Sequence, residues 1–367
     1  MSLFVLRRSF AGGNTPSSGR TPVTYKIGIQ EGYSEQFIQA LQKRESLVNS
    51  STFGMHLGQV QAVRSVLRTW PNGTNIIVAF KGGSPELRGQ IAEAVKPWTE
   101  AGNIKFDFGY DQRTGKYREW STFDTKYKAD VRISFDSQPE PGYWSAVGQD
   151  SIKPSLRAPS IASMNFEGFD DDPPAAGELR ATVLHEFGHA IGFEHEHQSP
   201  NSPCDQEYRW SDDPGYVRTQ DIHREFIPDS QGRKPGIYTV LEGPPNNWDK
   251  EKIDFNLKQF ANSSDWNLTS FDPTSIMKYV FQAWMYRDLA ASTSTGCYGP
   301  PNLNLSAEDR KAADSAYPRD AAQAKKLLSQ QISVSQQFLA RKALSPELRG
   351  ELDSITINLR KAKNQFE

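Results

Sequence analysis

Read for the period of its apolar positions, the chain changes character three times. Residues 34–48 and 57–67 repeat apolar side chains at helical spacing (Phe37, Leu41, Leu47; then Leu57, Val60, Val63, Leu67), which predicts two amphipathic helices of a small N-terminal extension. Ahead of them, residues 1–24 are rich in Ser, Gly, Pro and Thr without a sustained period and read as a flexible arm. At Trp70-Pro-Asn-Gly the pattern turns to loop chemistry, and residues 75–80 are a β-branched run of strand type. A helix is predicted over 84–101, opened by Ser-Pro at its cap and first turn, with strands at 104–108, 131–135 and 163–166. Strands interspersed with helices in this way predict an α/β (α+β) domain, a mixed twisted sheet with helices packed on it.

The run Asp170-Asp-Asp-Pro-Pro leads into a helix predicted over 176–191. From Gly192 to Thr274 the chain becomes polar, aromatic and proline-rich, with brief helical stretches at 220–226 and 249–255, and reads as a loop-rich lower subdomain. Ser306 followed by Asp309 is a capping-box start for a helix over 306–317, which Pro318 ends. Residues 321–367 read as a helical hairpin whose second arm starts at Ser345-Pro346-Glu347. The expected organisation is an extension over 1–68, a central domain over 69–318 and a C-terminal hairpin over 319–367.

Composition narrows the partners. A chain of 367 residues with 37% apolar and 23% charged positions has the material for a substantial core. A net charge of -2 and no long run of Lys and Arg remove the electrostatic motive for a nucleic-acid or anionic-membrane partner. No apolar run approaches the ~18 residues of a membrane span. The short run from Leu3 to Leu6 precedes Arg7 and Arg8 instead of following them, the wrong order for a secretory leader. Cys204 and Cys297 leave open one disulfide or two buried thiols.

The chemistry lies on the helix predicted over 176–191. His185 and His189 are one turn apart on one helical face and offer two neutral imidazoles to one ion, with the Glu186 carboxylate beside them. His195, reached after a turn at Gly192, is the expected third ligand, and three ligands leave open the position that a catalytic zinc keeps for water. Glu186 is the expected general base. With this chain's composition, His-Glu-x-x-His arises by chance in roughly one such sequence in a hundred, and adding Gly192 and His195 lowers that to on the order of one in a hundred thousand.

The stretch Gly192-Phe-Glu-His-Glu-His197, together with Ser275-Ile-Met-Lys-Tyr279, resembles the astacin branch of the metzincin zinc peptidases. The resemblance covers roughly residues 70–318. It implies a metzincin catalytic domain with one zinc ion, cleaving internal bonds of protein or peptide substrates. It implies that Met277 forms an apolar floor beneath the metal, that Tyr279 approaches the metal or stabilises the oxyanion during turnover, and that Glu196 and Gly192 support the ligand loop. Gly142-Tyr-Trp-Ser-Ala-Val-Gly148 is similar to the stretch leading to the family's edge strand, which would then fall at 163–166 and bring Met164 and Asn165 to the substrate. Leu305-Ser-Ala-Glu-Asp309 and Tyr317-Pro318 resemble the final helix of such domains.

The chain departs from the family at Gln198-Ser-Pro200, where an Arg and acidic pair is usual. Before Trp70 it has neither Asp nor Cys, so an inhibitory role for that segment would rest on Glu31, Glu35, Glu45, His56 or steric cover. A removable pro-segment and an accessory extension both stay open. His197 is read as a surface or supporting residue, and His56 and His223 as ordinary histidines. Asp170, Asp171 and Asp172 are read as partners of a helix dipole rather than a calcium site. Trp248, Trp266, Trp284 and Tyr286 are read as packing of the lower subdomain. A secreted monomer is expected, although no leader is visible. The alternatives are an inactive binding module on the same scaffold and a protease toxin delivered to other cells.

Overall fold

The computed structural model of the chain describes residues 32–55, 57–260 and 270–366. The expected arm over 1–24, the run from Leu3 to Leu6, and Glu31, His56 and Trp266 lie outside the described residues. Ser34 opens α1 (Glu35–Thr52) by accepting the Phe37 N–H at 3.2 Å, and α2 (Leu57–Arg68) follows. Past the Trp70 turn, β1 (Asn75–Phe80) is a β-branched run that buries Ile76, Val78, Ala79 and Phe80. The single helix expected over 84–101 is in fact two, α3 (Pro85–Ala94) and α4 (Lys96–Ala101), meeting at Val95. Pro97 explains the break, since it has no N–H for the Glu93 carbonyl and its ring crowds that carbonyl.

With β2 (Lys105–Asp107), β3 (Val131–Ser134), β4 (Tyr143–Ser145) and β5 (Met164–Phe166), β1 forms a five-stranded sheet in the order β2-β1-β3-β5-β4. All pairings are parallel except β4 with β5. The expectation that residues 163–166 form the open edge is therefore wrong. β5 is paired on one side at Ile133↔Met164 and on the other at Tyr143↔Phe166, and the edge is β4. The reason is burial: Met164, Asn165 and Phe166 are all enclosed, which suits an inner strand, whereas Tyr143 stays half-buried at the rim. Met164 and Asn165 offer no free main-chain edge. Asn165 serves the sheet instead, its Nδ2 donating to the Asp136 and Gly142 carbonyls at 2.9 and 2.8 Å.

Beneath the sheet runs α5 (Ala176–Ala190), whose Val183, Leu184 and Phe187 share a core with Ile76, Val78, Phe80, Ile133 and Phe166. The Trp98 indole N–H donates to the Leu184 carbonyl at 2.8 Å and fastens α4 to this helix.

The lower half contains α6 (Cys204–Glu207), β6 (Thr219–Gln220), β7 (Phe226–Ile227), α7 (Ile237–Glu242), α8 (Lys250–Leu257) and α9 (Leu289–Thr295). The helix expected over 220–226 is instead the β6–β7 hairpin turn. Asp221 Oδ1 takes the N–H groups of His223 and Glu225, and Arg224 has φ +65°, so a side-chain-stabilised turn displaces the helical spacing. Cys204 and Cys297 form a disulfide, which resolves the open pairing, inside a core that contains Trp248, Trp284 and Tyr286. These three aromatics are packing residues, as expected.

The capping box at Ser306 opens α10 (Ala307–Ala316), followed by the hairpin α11 (Ala321–Leu339) and α12 (Pro346–Asn364). Val48, Val63, Val66 and Leu67 of the N-terminal helices pack with Leu328, Phe338, Leu352 and Ile355 of the hairpin. The two ends of the chain thus share one helical core. Ion pairs tie it to the central domain and brace it internally: Arg44 pairs with Asp150, in the turn after β4, and with Glu351 of α12 at 2.9 Å, and Arg68 pairs with Glu194, in the loop after α5, at 2.7 Å. Among the described residues, no helix is long and apolar enough to cross a membrane.

Candidate active site

His185 and His189 project from the same face of α5, their Nε2 atoms 3.1 Å apart, and His189 Nε2 lies 3.0 Å from His195 Nε2. His195 reaches them because the helix stops at Ile191 and Gly192 adopts φ +103°, a left-handed conformation that a Cβ would strain. All three rings are buried.

The outward nitrogens determine what the inward ones do. Nδ1 of His185 meets the Ile276 carbonyl at 2.7 Å, Nδ1 of His189 the Phe193 carbonyl at 2.6 Å, and Nδ1 of His195 the Gln198 Oε1 at 2.9 Å. These partners are acceptors, so each Nδ1 carries the proton and each Nε2 presents a lone pair. Three lone pairs within 4.8 Å of one another repel unless a cation lies among them. Tetrahedral zinc, with bonds of about 2.0–2.1 Å, spaces its nitrogens about 3.3 Å apart, close to the two spacings seen here. The cluster therefore fits one zinc ion, held by three neutral imidazoles.

Glu186, also buried, follows His185 on α5, so the helix itself sets a carboxylate next to the ligands. The turn from Ser275 to Tyr279 closes the centre from below. Its Ile276 carbonyl orients His185, and its Met277 carbonyl accepts the Glu196 N–H at 2.9 Å. A Cβ at Gly188 would collide with the Met277 sulfur, which is why the helix carries glycine there. Tyr279 is buried, with its ring centroid 4.5 Å from that of His195. His197 stacks on Tyr279 at 4.2 Å and is enclosed, so it is a supporting residue and not a surface one. His223 is exposed, and so are Asp170, Asp171 and Asp172.

A set of acids pins this turn. Glu196 Oε1 accepts the Asp272 N–H at 2.8 Å, while burial first, then the neighbouring Asp272 and Asp309, push the Glu196 carboxyl up to about 7. Burial likewise raises Asp309. The Lys278 ammonium is pushed the other way, down to about 8, by burial.

Two features of the site were not assigned from sequence. Gln198, noted there only as a departure from the family, holds His195; a Gln three residues after a ligand was the available signal. The edge strand is the other. The Ala146 N–H donates to the Ser163 carbonyl beside β5, so the Ser145 carbonyl, trans across the same peptide plane, points out from the free edge. There it accepts the Tyr33 hydroxyl at 3.0 Å, while the Tyr33 N–H donates to Asn256 of α8 at 3.2 Å. Tyr33, just ahead of α1, Phe37 of α1 and His195 border one cavity of about 1020 Å³, so the N-terminal segment and the histidine cluster face a common space.

Two histidines from α5 and one from the loop after it thus meet beneath a mostly parallel sheet with an antiparallel edge strand. Among solved structures, the chain is similar to two of myroilysin. One is 28% identical over 70% of this chain and 98% of that chain, with a TM-score of 0.48. The other is 24% identical over 69% and 86%, with a TM-score of 0.42. It is also similar to high choriolytic enzyme 1, a hatching enzyme zinc-protease from the medaka fish Oryzias latipes, at 15% identity over 67% and 92%, with a TM-score of 0.33. No family model and no curated protein matches the chain. With every TM-score below 0.5, the functional reading rests on the site's own residues.

Proposed function

We propose that the chain is a zinc-dependent endopeptidase of the astacin-like metzincin type, organised as an extension over 1–68, a catalytic domain over 69–318 and a C-terminal hairpin over 319–367. The observation that carries this reading is the convergence of three Nε2 lone pairs, each enforced by an Nδ1–H bond to a fixed acceptor. Zinc held there supplies a positive charge that acidifies a water and polarises a peptide carbonyl.

The remaining steps belong to the protein's own groups. Glu186 takes the proton from the attacking water and passes it to the leaving amine. The Tyr279 hydroxyl donates to the oxygen that gains charge as the carbonyl becomes tetrahedral. The outer edge of β4 receives an extended substrate through main-chain hydrogen bonds once the Ser145 carbonyl is released from the Tyr33 hydroxyl. Met277 and Glu196 hold the floor and the ligand loop in place. The Cys204–Cys297 disulfide suits an oxidising compartment, which supports export from the producing cell.

Casein digestion tests the reading. Wild-type protein carrying one zinc per chain should degrade casein, a chelator should stop it, and Glu186→Ala should lower the rate by about 10²–10⁴ while keeping its zinc. A zinc-loaded wild-type protein that leaves every protein and peptide intact would refute the peptidase and leave the inactive binding module.

A further inference from the structure

We infer that Gln198 is the positioning residue of the third metal ligand and that it ties this ligand to α8 of the lower subdomain. The inference rests on the zinc reading above. His185 and His189 are held by the rigid spacing of α5, and their Nδ1 partners are backbone carbonyls. His195 has neither support. It lies beyond the helix in extended conformation, φ -68° and ψ 131°, and its Nδ1 partner is a side chain. The orientation of one ligand of three therefore depends on where a single amide points.

That amide has one orientation available. Gln198 Nε2 donates to the Phe255 and Lys258 carbonyls, both at 3.0 Å, and these two bonds use both amide hydrogens. Oε1 must then face His195. Flipping the amide would set its NH2 against the His195 Nδ1–H and its oxygen against two carbonyls, losing three hydrogen bonds together. The site is enclosed, with Gln198 only 3% exposed, so water does not replace them. The two carbonyls lie at the C-terminal end of α8, where a helix leaves carbonyls without an internal partner, so Gln198 also completes that end. The Phe260 N–H returns to the Gln198 carbonyl at 2.8 Å and fixes the backbone beneath the side chain.

The positioning role and a merely structural one make different demands on the side chain. The structural role needs the amide NH2, and the positioning role needs the Oε1 acceptor. Gln198→Met keeps the volume and removes both. Gln198→Glu keeps the acceptor and loses the donors, setting a carboxylate against the α8 carbonyls. Both variants should melt at a lower temperature than wild type without metal. Zinc affinity, measured by competition with a chromophoric chelator, should fall about 10–100-fold in Gln198→Met and stay within a few-fold of wild type in Gln198→Glu. The visible spectrum of the cobalt-loaded forms should change in the Met variant alone. If the two variants lose affinity alike, or neither does, Gln198 only fastens α8 and the inference is wrong.

A measurement on the wild type keeps the inference testable should a variant fail to fold. Histidine-labelled ¹⁵N spectra of zinc-free protein should show His195 as a single Nδ1–H tautomer, and a mixture of tautomers would overturn the proposal. Failure of the zinc reading looks different: the wild type would then take up no stoichiometric zinc, whatever the tautomer of His195.

Discussion

Asp309, at the start of α10, holds Ser275 through a 2.7 Å bond from the serine hydroxyl to Oδ1, while its Oδ2 accepts the N–H groups of Ile276 and Ser306 at 2.9 and 2.8 Å. One carboxylate thus completes a helix cap and pins the turn whose Ile276 carbonyl orients His185. In Asp309→Ala, two backbone donors and a hydroxyl lose their partner together. The expected cost is about 2–4 kcal/mol in urea unfolding, with weaker zinc retention during dialysis against a chelator. An unfolding midpoint equal to that of wild type would show that the turn stands without this anchor.

Tyr33 occupies the one main-chain acceptor at the β4 edge whose outward direction is established by its own peptide plane. Tyr33→Phe keeps the ring against Phe37 and Phe255 and frees the Ser145 carbonyl. A hydrogen bond is worth about 1 kcal/mol, so kcat/KM on extended peptides should rise roughly fivefold through KM, with little change in kcat. An unchanged KM would mean that substrate does not use this edge.

Lys278 is buried, and its Nζ donates to the Cys297 carbonyl at 3.1 Å. Desolvation lowers its folded value to about 8 from an ordinary 10.5. Between those values the unfolded chain binds the proton more tightly than the folded one. Stability attributable to this group therefore rises as pH climbs from about 8 to about 10.5, and below about 8 the cost of burying the charge is fully present. The difference in unfolding free energy between wild type and Lys278→Met should show this slope. A pH-independent difference would contradict it.

The Cys204–Cys297 bond closes a loop with a sequence separation of 93 through the lower core. Replacing both cysteines by alanine should lower stability by about 2–4 kcal/mol, and a reductant should lower the melting temperature of wild type but not of the variant. Calorimetry with and without reductant measures both. If wild type melts at the same temperature in either buffer, the lower half does not depend on the bond.

Much of this architecture is local and was legible as such. The spacing of His185, His189 and His195 around Gly192 marked the histidine cluster, because helical periodicity and a glycine turn are short-range properties. The cap at Ser306, the strand over 75–80 and the hairpin at the C-terminus followed from the same kind of signal. The break at Val95 was also local, written in Pro97, but the amphipathic pattern ran through it and concealed it. At 220–226 a brief helix was expected, while the Asp221 side chain favoured a turn.

Strand order was different in kind. Nothing within residues 143–145 or 163–166 says which lies at the rim, because that depends on which strand β3 accepts as its neighbour. The sequence by itself determined the three-histidine spacing, the neighbouring carboxylate and the turn that carries Met277. Only the tertiary structure decided that β4 is the edge, that Gln198 faces His195, that Tyr33 reaches Ser145, and that the two ends of the chain share one core. Each of these joins groups that periodicity does not relate, and the burial that makes such contacts favourable arises only once the chain has folded around them.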